Sequence, residues 1–177
     1  MSDTHTIVID REIVQRSNIE IGKSKQVIVC LEEISEFLQA YIAVRNIPIT
    51  IMEELESVRK VLIYNLAEEI ADVFVCFDIL NDIYHCTHFN FDVPCIKNSS
   101  NISHLKIILS ALDMQKAISK VYRERVDTTH DMELRGNILL QNLFKVAEYY
   151  GITDECINGI IHEKQLRTVR RLNGEEF

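Results

Sequence analysis

Four carboxylates in the first half of the chain have the spacing and surroundings to do chemistry: Glu33-x-x-Glu36 and Glu69-x-x-Asp72. On a helix, residues three apart project from one face. At about 100° per residue, Glu69 and Asp72 share their arc with Cys76, Ile79 and Ile83, while Glu68, Asp78 and Asp82 supply that segment's solvent-facing charge. Glu36 shares a stripe with Val29, Ala40 and Ala43, opposite the main apolar stripe of its own segment. Acids set into apolar faces cost free energy unless something pairs with them. Two such helices packed antiparallel bring four carboxylates together, with no lysine in either motif to neutralise them. A divalent cation answers that arrangement. Hard oxygen ligands suit Mg²⁺ or Mn²⁺, and Mg²⁺ is usually completed by waters and substrate phosphates. The chemistry that follows is metal-assisted hydrolysis at phosphorus. Either pair alone reads as a solvated helix face; it is the conjunction of two pairs on apolar faces that singles these acids out.

The elements that must position them are helical. Val27, Leu31, Ile34, Leu38 and Tyr41 recur at helical spacing, which predicts a helix from Lys23 to about Arg45. Asn46-Ile47-Pro48 ends it, because the residue before a proline is pushed out of the α region. Thr50 with Glu53 makes a capping box for the next helix. No Gly or Pro interrupts Ile51 to Phe91, and a helix over 51–84 would be unusually long, so a break is expected near Tyr64-Asn65. Residues 88–101 read as a loop, 102–125 as a helix and 126–131 as a polar joint. A helix over about Met132 to Tyr150 ends where Gly151 stands as a C′ glycine. Thr153 or Asp154 can cap a final helix carrying Lys164, Arg167, Arg170 and Arg171. Residues 1–22 form a leader of unassigned structure: Thr6 to Asp10 is β-prone, with no evident partner strand. Residues 23–177 form one all-α unit.

A weak echo links the two halves. A shift of 65 pairs Glu68 with Glu133, Asp72 with Asn137, Val73 with Ile138 and Tyr84 with Tyr149; a shift of 80 pairs Glu33 with Asp113 and Ile34 with Met114. Either 102–150 is a degenerate repeat, or two amphipathic helices simply align this well. A true second copy would have lost most of its acids, and with them the ability to bind a cation.

Composition supports the same class. The chain has 177 residues, 47% apolar and 26% charged, which excludes a disordered or collagen-like chain. Only 5 Gly and 2 Pro leave little room for the turns of a sandwich or barrel. A net charge of -8 gives no footprint for nucleic acid or a negative membrane surface. Five cysteines without a C-x-x-C, and no apolar signal segment, fit reduced thiols in a cytoplasmic protein. No apolar run is long enough to span a bilayer.

Leu31-Glu32-Glu33-Ile34-Ser35-Glu36-Phe37 and Asn65-Leu66-Ala67-Glu68-Glu69-Ile70-Ala71-Asp72-Val73 resemble the paired acidic motifs of the MazG-like all-α nucleoside triphosphate pyrophosphohydrolases, relatives of dimeric dUTPases and dCTP pyrophosphatase. The resemblance covers about residues 23–84, and the C-terminal helix loosely. It implies a helical bundle with an acidic helix pair (23–45 and 66–84) that binds Mg²⁺ through Glu33, Glu36, Glu69 and Asp72. Glu32 would serve as a supporting or alternative ligand, since E-E-x-x-E leaves the register open. It further implies hydrolysis of a nucleoside triphosphate to monophosphate and pyrophosphate, and a homodimer or homotetramer with a shared four-helix core. Lys164 and Arg167 resemble the family's basic end, which contacts phosphate, although the Lys-Asn pair many members carry is missing. The stretch between Glu36 and Glu69 is also longer than is usual in the family. Asn81, on the helix of Asp72, is a candidate base or sugar contact.

Other readings stand beside this one. A phosphoribosyl nucleotide could be the substrate of the same metal chemistry, or the scaffold could be a non-catalytic interaction module. His85-Cys86-Thr87-His88 with Cys95 matches no strong zinc spacing. His130-Asp131 is the dipeptide of HD phosphohydrolases without that site's other ligands. No P-loop, Rossmann glycine pattern or G-x-S-x-G is present.

Overall fold

A computed structural model describes residues 4–47, 56–86, 89, 91, 102–124 and 129–175. The protein is an all-α helical bundle of six helices over these residues: α1 (Arg11–Ile21), α2 (Lys23–Arg45), α3 (Glu56–Tyr84), α4 (His104–Glu124), α5 (Thr129–Tyr150) and α6 (Asp154–Leu172). None of them is long and apolar enough to cross a membrane.

Four helices make the core. α2 packs on α3, α3 on α5, α5 on α4 and α4 on α2, so the ring closes within one chain. Neighbours run antiparallel: the Cys30 thiol points at the Cys76 carbonyl, Phe74 meets Phe144 while Phe77 lies beside Gly136, and Tyr41 bonds His104 while Gln115 reaches Leu31. The contents are mostly apolar, with Phe37, Tyr41, Phe74, Phe77 and Phe144 among the largest enclosed side chains. α1 and α6 pack on the outside of α3.

Local signals set the ends. Asp10 caps α1 through the backbone N–H groups of Glu12 and Ile13, and Gly22, at φ +96°, turns the chain into α2. Gly151, at φ +70°, closes α5 in a Schellman motif: its N–H donates to Glu148 O and that of Ile152 to Ala147 O. Thr153 caps α6.

Two expectations change. α3 runs through Tyr64-Asn65 without a break; both side chains are exposed, and with neither Gly nor Pro nearby nothing interrupts the backbone ladder. Its buried part begins at Leu66, so only the second half joins the core. The leader contributes α1 and an extended strap, and that strap pairs with side chains in place of a strand. Asp154 and Asn158 accept from the N–H groups of Thr6 and Val8, and Gln165 exchanges two hydrogen bonds with Asp10. His5 fastens its end, with ring nitrogens 2.9 Å from Glu148 and 2.9 Å from Asp154 and the ring stacked on Phe144. The capping box at Thr50 and Glu53, Cys95 and most of the 88–101 loop lie outside the described residues.

Candidate functional site

The antiparallel pairing of α2 with α3 places the two acidic motifs opposite each other. Glu33 lies at the edge of α2's core stripe, between buried Cys30 and Phe37, and Glu69 lies beside buried Leu66 and Ile70 on α3. One carboxylate oxygen each from Glu33, Glu36 and Glu69 lies within 4.8 Å of the others. Glu33 and Glu69 are half-buried, Glu36 faces solvent, and Glu69 Oε2 is buried without a hydrogen-bond partner. Asp72 is close enough to act on the charge of both Glu33 and Glu69.

Burial and mutual repulsion dominate the electrostatics. Glu33 is pushed up to about 7, first by burial and then by the charges of Asp72, Glu36 and Glu69. Glu69 is likewise pushed up to about 7 by burial, then by Asp72 and Glu36. Asp72 is raised by burial, against the opposing pull of its hydrogen bond and ion pair with Lys164 of α6. A three-acid cluster with an orphaned buried oxygen has the donor set of a hard divalent cation. The three acids could hold a metal ion.

The geometry also separates the sequence-derived residues. Of the E-E-x-x-E acids it brings Glu33 and Glu36 into the cluster, while Glu32 is exposed and outside it. It brings Lys164 to the acids, but as the partner of Asp72. Arg167 is half exposed and pairs with Glu163 at 3.7 Å. Asn81 is not brought to the site. It follows Asp72 by nine residues, which is about 13 Å along the helix and half a turn round it. It lines a separate cavity of about 420 Å³ with Arg11, Asp78 and Asp82. Asp131 of the His130-Asp131 dipeptide sits in the first turn of α5 and pairs with Arg135 at 3.3 Å.

Sequence reasoning missed the floor of the site. Cys30 and Cys76, one turn from Glu33 and Asp72, pack together in the α2–α3 seam, and both are buried. Cys76 is pushed well above the usual thiol range, first by its hydrogen bond with Cys30 and then by burial. Buried against each other, the two thiols act as small apolar spacers. Their position on the acidic arc was the available signal.

Compared with protein-family models, curated proteins and solved structures, the chain matches none.

Proposed function

We propose that this protein is a Mg²⁺-dependent nucleoside triphosphate pyrophosphohydrolase, releasing a nucleoside monophosphate and pyrophosphate. The observation that carries the reading is the meeting of Glu33, Glu36 and Glu69 from two motifs on different helices, with one buried carboxylate oxygen unpartnered. Glu33, Glu36 and Glu69 would hold the cation, with Asp72 beside them as a fourth acid. Mg²⁺ bound there supplies charge for the phosphoryl oxygens and a water of lowered pKa. The chain's own part is to fix the carboxylates on two packed helices and keep their inner side dry. Lys164 holds Asp72 in place and would offer its ammonium to an anionic substrate group. The resemblance of the two motifs to the MazG-like enzymes supplies the substrate class.

The test is a panel of ribo- and deoxyribonucleoside triphosphates, with a phosphoribosyl nucleotide as a further arm, assayed for pyrophosphate with Mg²⁺ or Mn²⁺. Pyrophosphate equimolar with monophosphate, abolished by a chelator, is the expected result. No release from any triphosphate with either metal would overturn the reading. Release from the phosphoribosyl nucleotide alone would keep the metal site and change the substrate.

A further inference from the structure

Buried positions of the α4–α5 hairpin follow those of the α2–α3 hairpin at one fixed offset on each helix. Eighty residues beyond Val27, Cys30, Ile34, Phe37 and Tyr41 stand positions 107, 110, 114, 117 and 121; all ten are buried. Sixty-six residues beyond Leu66, Ile70, Val73, Cys76 and Phe77 stand 132, 136, 139, 142 and 143, again all buried. The sequence echo at 65 is thus off by one on the second helix, and the burial pattern sets the register.

Contacts inside the hairpins correspond as well. Where the Cys30 thiol faces Cys76, Asn142 Nδ2 donates to Ser110 Oγ at 2.9 Å. Contacts between them have the form of a two-fold: α2 meets α4 and α3 meets α5, each helix packing against its own counterpart. Ser35 and Gln115, eighty apart, touch each other, with Gln115 Nε2 2.6 Å from Ser35 Oγ. Only residues on a two-fold axis contact their own equivalents.

This register carries Glu33, Glu36 and Glu69 onto Asp113, Lys116 and Arg135. These residues line a groove of about 200 Å³ together with Lys120 and Asp131. Arg135 stands where Glu69 stands in the first hairpin, and it bonds Asp113 at 3.4 Å and Asp131 at 3.3 Å.

We propose that α4–α5 is a second copy of the site hairpin, and that its groove is a latent divalent-cation site closed by the guanidinium of Arg135. The inference rests on the reading of Glu33, Glu36 and Glu69 as cation ligands. It adds that one chain supplies both halves of a two-fold bundle while keeping one half as scaffold. Arg135 does for the second copy, permanently, what a cation does for the first.

The test counts bound Mn²⁺ by electron paramagnetic resonance in the full chain and in Lys116→Glu/Arg135→Glu, with circular dichroism to confirm folding. One more Mn²⁺ per chain than the parent, displaced by Mg²⁺, is expected. A folded variant binding the same number as its parent overturns the inference, whatever that number is; a parent binding none is the separate failure of the reading beneath it. If the variant does not fold, the converse exchange decides. Glu36→Lys/Glu69→Arg should build the Asp113–Arg135 arrangement in the first hairpin. It should bind one Mn²⁺ fewer than the parent and melt, without divalent cation, at or above the parent's temperature. A lower melting temperature contradicts the equivalence.

Discussion

The grooves of the two hairpins hold like-placed side chains in opposite states of charge. On α2–α3 the three clustered carboxylates repel one another, and two of them are held near neutral pH by burial. On α4–α5 the like-placed groups are an acid and two cations, with Arg135 already paired twice. A helical seam thus tolerates polar groups at its edge in either way. The difference is that one groove is complete and the other is left short of positive charge. Polar groups left incomplete in a packed structure mark where something else binds.

The comparison breaks most visibly through activity. Glu69→Gln removes a charge and keeps the shape, and should lower pyrophosphate release at least about 100-fold. Arg135→Met, at the like-placed residue, should leave steady-state rates within about twofold, because both its aspartates are half exposed and screened, and should cost about 1 kcal/mol or less in urea unfolding.

Packing gives the next effect. Gly136 stands where the first hairpin has Ile70, and a Cβ there would run into the rings of Phe89 and Phe77. Gly136→Ala should therefore destabilise by about 1–3 kcal/mol, measured by urea unfolding. Lys164→Met should lower stability by a similar amount, about 1–3 kcal/mol, because Asp72 loses its charged hydrogen-bond partner in a partly buried place.

The last effect is in pH. Between about 4.5 and about 7 the folded chain keeps protons on Glu33 and Glu69 that the unfolded chain has lost. Ionising them costs the folded state, so the metal-free protein should melt lower at pH 8 than at pH 5.5. Mg²⁺ should flatten that slope, which thermal melts across the range would show.

Much of this was legible in the residues. The helix over 23–45 and the Gly151 stop follow from spacing and from single-residue chemistry, and each stands in the structure as expected; of the two acidic pairs, Glu33, Glu36 and Glu69 cluster while Asp72 pairs with Lys164. What escaped were features built on polar burial. The inward face of α1 carries Ser17, which accepts from Gln26 at 2.7 Å, and Asn18, whose Nδ2 donates to Asp82 at 2.8 Å, so it shows no apolar period. The strap's backbone is bonded by side chains more than a hundred residues away. Pairing of Lys164 with Asp72 is equally non-local, and it makes Asp72 a poor probe of a cation site. Removing the Asp72 charge would strand a lysine, so a stability loss there does not discriminate between a structural ion pair and a cation site.

Glu69, with its unpartnered buried oxygen, is the cleaner probe. The most direct measurement is the melting temperature of the natural protein and of Glu69→Gln, each with a chelator and with millimolar Mg²⁺. A shared cation site predicts that Mg²⁺ raises the melting temperature of the natural protein. It also predicts that Glu69→Gln melts at or above the natural protein in chelator and no longer responds to Mg²⁺. A natural protein indifferent to Mg²⁺, together with a variant that melts lower in chelator, would contradict it.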